Sequence, residues 1–397
     1  MTVQTTAEQM RAWRGPALFS YGFRPFFLFA AVWVILAMGL WLLVLAGRFD
    51  LPSRFDPLSW HAHEFLFGYL GAVLAGFLLT AVPNWTGRLP IVGWRLAALF
   101  LLWCGGRGAV MISVGLPPAV APVIDLAFPL VLGAVILREI IAGRNWRNLM
   151  VLGLLTVFAL ANGLFHWEAL QGNVAAQGTG LRLGLATAIM MIAVIGGRMI
   201  PSFTRNWLAR MENPARPAPP MQRLDKLTLL VSLPVLLLWV LHPEGAITGG
   251  VLLCFAGLHL IRQARWQPLQ TLRDPLVWIL HLAYAFIPVG AFALGLALVT
   301  GGSSAAAQHL WMSGAIGAMT LAVMSRATLG HTGQALQADR VTVAVYLSII
   351  AATALRSLAP LWAGATHLSG LFWLFAFAGF LLAYGPALWR AKPKGSR

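Results

Sequence analysis

Stretches of about twenty apolar residues recur from one end of this chain to the other, and very few folds can accommodate them. A run of that length matches the thickness of a bilayer's hydrocarbon layer when it is helical. Twelve such runs are legible, over residues 26–46, 60–82, 94–114, 119–138, 147–170, 181–200, 226–242, 246–262, 275–299, 306–326, 340–362 and 366–389. With 59% hydrophobic and only 10% charged residues, the chain holds more apolar surface than one water-soluble core can cover. Ten-residue alternating segments, the mark of spanning strands, do not occur. The expected fold is therefore an all-α integral membrane protein of about twelve helices, forming one polytopic domain over residues 1–397. The first twenty residues lack the order of a cleavable signal peptide, so the run from Phe26 to Ala46 is expected to remain as a helix.

A net charge of +16 would suggest a nucleic-acid partner in a soluble chain. Sorting the cations by loop removes that reading. With the N-terminus inside, 23 of the 28 Lys and Arg residues fall on the inner side, and only Arg48, Arg54 and Arg182 fall outside. That asymmetry is the positive-inside rule, so both termini are expected in the cytoplasm, together with residues 1–25, the Pro- and Arg-rich loop 201–225 and the tail 390–397. Arg107 and Arg356 remain within spans. Cys104 and Cys254 lie far apart in apolar runs and read as packing residues.

An internal repeat is visible. Spans two, six and ten end in LLTAVPNWTGR, GGRMIPSFTRN and MSRATLGHTGQ, with Thr86, Thr204 and Thr332 aligned. Arg198 and Arg326 then coincide, each six residues before its Thr. Every fourth helix shares the motif, so the chain reads as three four-helix units about a pseudo-threefold axis, with function expected at the repeat interface.

Histidine carries the chemistry. His61, His63, His166 and His309 fall near the outer ends of spans, His281 in the inner part of span nine, and His331 in the inner loop after span ten. The offsets that align the threonines also align His63, Leu181 and His309, so two histidines share one depth on equivalent helices. Facing imidazoles in a helical bundle are what axial haem ligation requires. The expectation is a haem between spans two and ten, with His309 on one side and His61 or His63 on the other. His61 and His63 stand about 200° apart around a helix, so the second of them is expected to face another metal, with His166. The plainer alternative is that these histidines are helix–helix hydrogen bonds. Glu64 is placed to orient an imidazole or relay protons, and Glu168 beside His166 is a weaker case of the same kind. Arg107 and Asp125 match in depth as a structural ion pair. The inner motifs with Arg88, Arg198 and Arg326, and His331 and His281 near them, could bind haem propionates or anions, or simply end helices. Nucleotide-binding and zinc-hydrolase motifs are absent.

The segments GFRPFFLFAA (Gly22–Ala31), WHAHEFLFGY (Trp60–Tyr69), GFLLTAVPNWTGR (Gly76–Arg88), GGRMIPSFTRN (Gly196–Asn206), PLVWILHLAY (Pro275–Tyr284) and GAIGAMTLAVMSRATLGHTG (Gly314–Gly333) resemble the NnrS family over nearly the whole chain. That resemblance implies a bacterial inner-membrane protein associated with haem and copper and with the response to nitric oxide in denitrification or nitrosative stress. A more distant similarity is to the haem–copper oxidase and nitric oxide reductase fold, with twelve helices in three arcs and haem ligands on helices two and ten. The chain departs from that pattern: span six has no histidine and span seven lacks the adjacent histidine pair. The expected function is a haem b protein, with copper as a second metal, that binds or reduces nitric oxide near the periplasmic side and takes electrons from quinol or another donor. The alternatives are a haem or copper carrier, an electron relay without turnover, and a secondary transporter.

Overall fold

Several helices begin where a short side chain satisfies a free backbone N–H group. In the computed structural model, which describes residues 13–86 and 90–391, Asp56 accepts the Ser59 N–H at 3.0 Å and Pro57 follows it at the first helical position. Asp274 and Pro275 repeat the device at 2.9 Å to the Leu276 N–H, and Asp339 accepts the Thr342 N–H at 2.7 Å. Gln222 and Asp225 form a reciprocal capping box. The results are α1 (Phe23–Leu45), α2 (57–86), α3 (Trp94–Met111), α4 (Val120–Ala142), α5 (Leu149–Leu170), α6 (Thr179–Arg210), α7 (Arg223–Leu241), α8 (Ala246–Ala264), α9 (Pro275–Thr300), α10 (304–332), α11 (Arg340–Ser357) and α12 (Gly364–Trp389). No strand occurs among the described residues.

Ten of these helices are long and apolar enough to cross a membrane. The other two expected spans, α3 and α10, are helical as well but more polar: α3 carries Arg95 and Arg107, and α10 carries Gln308, His309 and Arg326. The chain is an all-α integral membrane protein.

Two boundaries differ most from expectation: span ten, expected to end at 326, is helical to 332, so His331 lies in its last turn and not in a loop after it, and the end of span six also moves. The loop expected at 201–225 is helical to Arg210 and again from Arg223. Arg205 and Arg210 are exposed, while Ile200, Thr204, Trp207 and Leu208 are buried one helical turn apart. The charges that read as loop are thus the polar face of an amphipathic helix end.

Three helices switch to π-helical winding partway: α2 over Glu64–Leu70, α6 over Ile192–Gly196 and α10 over Leu310–Gly317. In α2 and α10 the π segment starts immediately after the repeat-aligned histidine, His63 or His309. Such segments carry an extra residue per turn and gather at functional sites. The segment in α6 lies ten residues beyond the place the threonine alignment assigns, so the local match is close for α2 and α10 and looser for α6.

The chain divides into two compact units. The first comprises residues 1–184, 331–333 and 381–397; the second comprises 185–330 and 334–380. In the first, Phe26, Phe27, Phe100, Trp103, Phe128 and Phe165 form a buried aromatic core. Arg24 closes that unit by donating to the carbonyl oxygens of Leu388 and Arg390 at 3.3 and 2.7 Å. In the second, α8 and α9 pack with Gly249 and Gly295 face to face. A Cβ on either glycine would lie 2.8 or 2.7 Å from the other's carbonyl oxygen, so only hydrogen allows that approach.

Candidate metal centre

The first unit encloses a polar cluster built from four helices. The helix α2 supplies His63 and Glu64, α3 supplies Arg107, α4 supplies Asp125, and α5 supplies Asn162 and His166. All six are nearly or wholly buried. In an apolar interior such groups must satisfy one another, and they do. The Arg107 Nη1 donates to both Glu64 carboxylate oxygens at 2.7 and 2.8 Å, and its Nη2 donates to Asp125 Oδ1. Trp33 Nε1 donates to Glu64 Oε2 at 2.8 Å. Asn162 Nδ2 donates to Asp125 Oδ2 at 2.8 Å, and His166 Nε2 meets the same oxygen at 3.0 Å.

His63 is the informative member. Its Nδ1 faces Glu64 Oε1 at 2.9 Å, and its Nε2 faces Asn162 Oδ1 at 2.9 Å and Asp125 Oδ2 at 3.2 Å. All three are acceptors, because the Asn162 amide nitrogen is turned to Asp125. Both ring nitrogens therefore need a proton, or one proton's place is taken by another cation. Charge counting agrees: two carboxylates and one guanidinium leave the cluster one positive charge short when the histidines are neutral.

The geometry could also hold a metal ion. One ligand atom from each of His63, Asp125 and His166 lies within 4.8 Å of the others, and all three residues are buried. The two imidazole centroids are 5.0 Å apart. Local structure enforces this approach. A Cβ on Gly68, in the π segment, would lie 2.4 Å from Arg107 Nη1 and 2.9 Å from Glu64 Oε2, so a glycine is needed for the ion pair to form. Trp103 Nε1 donates to the Gly68 carbonyl at 2.9 Å and holds that turn in place.

The remaining expected site residues are dispersed. His61 is turned away from His63 and stacks on Trp41, ring centroids 4.5 Å apart and planes within 13°. Glu168, although beside His166, accepts the Thr179 and Gly180 N–H groups at 2.7 and 3.1 Å, so it caps α6 and is not a partner of the imidazole. His309 Nδ1 lies 2.7 Å from the Ala305 carbonyl oxygen; its proton therefore sits on Nδ1, and the Nε2 lone pair is left open. In His281, Nε2 lies 2.8 Å from Thr204 Oγ1, whose own proton goes to the Ile200 carbonyl, and Nδ1 is buried without a partner. His331 is exposed beside the Tyr21 and Phe23 rings, 5.4 and 5.5 Å away. Arg326 lies over the Phe203 ring at 4.2 Å and Arg198 is half-buried. Arg88 lies outside the described residues.

Sequence reasoning missed a second buried network, in the second unit. Arg262, counted among the loop cations, is fully buried and donates to Asp225 Oδ1 at 2.8 Å, the Ala193 carbonyl at 2.9 Å and the Tyr284 hydroxyl at 2.9 Å. The Tyr284 hydroxyl in turn meets His259 Nδ1 at 2.8 Å, and His259 Nε2 meets Ser232 Oγ at 2.9 Å. The signal available was the scarcity of acids: an Asp two residues past an Arg at a helix start, in a chain with 12 acidic residues, invites a search for a buried partner.

Compared with known protein families, residues 17–392 match the one described as NnrS protein. No curated protein matches the chain. The match spans both units and includes every residue of the polar cluster, and the chain belongs to the NnrS family.

Proposed function

We propose that this protein is a membrane metalloprotein of the nitric oxide response, with copper held by His63, Asp125 and His166 and haem b held through His309. It sits in the bacterial inner membrane with both termini in the cytoplasm, as the inner-side bias of Lys and Arg supports. The observation that carries the reading is the convergence of two imidazole nitrogens and one carboxylate oxygen in a buried cluster short of one positive charge. That donor set suits divalent copper or iron, whereas two separate cysteines offer no competing thiolate site.

This chain's own residues do the orienting. Glu64 holds His63 through Nδ1, and Arg107 with Trp33 holds Glu64, so the Nε2 edge is aimed at Asp125 and His166. Arrangements of carboxylate, histidine and metal fix the ring and raise its basicity in this way. For a cation to be held at His63 Nε2, the proton on that nitrogen would have to be released, while the Nδ1 proton would stay in its hydrogen bond to Glu64. His309 is prepared differently. The Ala305 carbonyl fixes its tautomer and leaves Nε2 as the atom that would hold haem iron. His63, oriented by Glu64 toward Asp125 and His166, is assigned here to copper. Bound copper and haem iron would supply open coordination positions for a diatomic ligand and one-electron redox couples.

The test is a double dissociation on protein purified in detergent, with copper measured by mass spectrometry and haem by its pyridine spectrum. His166→Ala and Asp125→Asn should lose copper and keep haem, and His309→Ala should lose haem and keep copper. Full copper retention in both cluster variants, or haem retention in His309→Ala, overturns the corresponding assignment.

A further inference from the structure

A small cavity lies against the polar cluster, inside the first unit. Its walls are of two kinds: the rings of Phe67, Phe128 and Phe158, and the polar edge made by Arg107, Asp125 and Asn162. It has room for about one water-sized molecule. A buried water needs two to four polar partners. This polar edge offers few, because Asp125 and Asn162 are spent on one another and on the two histidines and Arg107. The buried Arg107 Nε is a donor left without a partner. An apolar space with one spare donor suits a small, weakly polar molecule with one weak acceptor end better than it suits water.

Two backbone features make the space. Pro129 also lines it and sits four residues after Asp125 in α4, so the Asp125 carbonyl loses its helical N–H partner beside the cluster. Gly71 lines the opposite side, and a Cβ there would meet nothing nearer than Phe128 Cε1 at 4.0 Å, so the missing side chain is unfilled volume. Pro129 is also the one lining residue that is not buried, and its neighbour Leu130 is 62% exposed on the apolar outer face of α4. In a bilayer that face meets lipid, where neutral diatomic gases are more soluble than in water.

We infer that this cavity is a gas pocket. It takes a neutral diatomic molecule from the bilayer past Pro129 and holds it against Arg107 and Asp125, beside the His63–Asp125–His166 group. The inference rests on the proposed metal centre for its purpose but not for its existence, and the experiment separates the two. Crystals of the metal-loaded protein under xenon pressure should show an anomalous peak bounded by Phe67, Phe128 and Phe158. Gly71→Leu, which fills the space, should abolish the peak, leave copper content unchanged and slow nitric oxide association in stopped flow. If Gly71→Leu does not fold, Ala159→Val fills the same cavity from α5 with the same expected loss. A hydrogen-bonded water in place of xenon, or unchanged nitric oxide association in a variant that has lost the xenon peak, overturns the pocket. Absence of copper with xenon present sinks the metal centre and leaves the pocket standing; copper without xenon does the reverse.

Discussion

Three full charges meet around Arg107, and the balance among them decides whether the first unit can fold. The guanidinium faces Glu64 and Asp125 at once in an interior where neither carboxylate reaches water. Removing one partner of such a group leaves an uncompensated charge, at a cost of about 3–5 kcal/mol. Arg107→Leu is therefore expected to lower the unfolding free energy in detergent by an amount in that range, with a lower midpoint, and adding Asp125→Asn should restore part of the loss. An unchanged midpoint in Arg107→Leu would show that the charges are not coupled in the folded state. At this scale legibility was uneven. The Arg107–Asp125 pair follows from matching depth along two neighbouring helices. Glu64 was linked to His63 but not to Arg107, because adjacency in sequence says nothing about a partner 43 residues away. His259 and Tyr284 were passed over for the same reason: a histidine in an apolar run looks alike whether it faces lipid or a tyrosine 25 residues on.

Among the elements, helix starts and several ends were readable, and the ends of α6 and α10 were not. Asp56, Asp274 and Asp339 each announce a helix through a side chain that accepts an N–H two or three residues later. The continuation of α6 to Arg210 was hidden by its arginines, which mark a loop by composition but an exposed face by periodicity. The cap of α11 is testable. Asp339→Ala should cost about 0.5–2 kcal/mol, the usual range for a lost N-cap, while Asp339→Asn should cost less. The Thr342 backbone N–H holds the Asp339 carboxyl below the usual carboxylate range. A depressed folded-state pKa means that the ionised cap's contribution is present above the unfolded value, near 3.9, and fades as pH falls through and below it. The carboxyl is largely solvated, so the slope is shallow. Unfolding midpoints measured between neutral and acid pH should show this decline in the wild type and a smaller one in Asp339→Asn; identical profiles would contradict it.

At the scale of the whole molecule, the distribution of Lys and Arg predicts orientation. Arg24 and Arg262, both counted as inner cations, are buried, but the remaining bias is far larger than these two. A phosphatase fused at Pro217, in the linker between α6 and α7, should be inactive in the periplasm; an active fusion reverses the orientation. The sequence by itself determined the number and rough placement of the helices. Lipid leaves a backbone no other way to satisfy its own N–H and C=O groups, so a run of apolar residues long enough to span has one available conformation. It also aligned His63 with His309, and each of them stands immediately before a π segment. Only the tertiary structure decided which polar side chains meet. Each residue turns a helix by about 100°, and in a chain this apolar all faces look suitable for burial, so the rotation of each helix depends on its neighbours. His63 reaches Asn162 across 99 residues, and Arg262 reaches Ala193 across 69. Contacts of that span arise when helices pack, because an unpaired charge or imidazole left facing lipid or the core costs more than any local preference can offset.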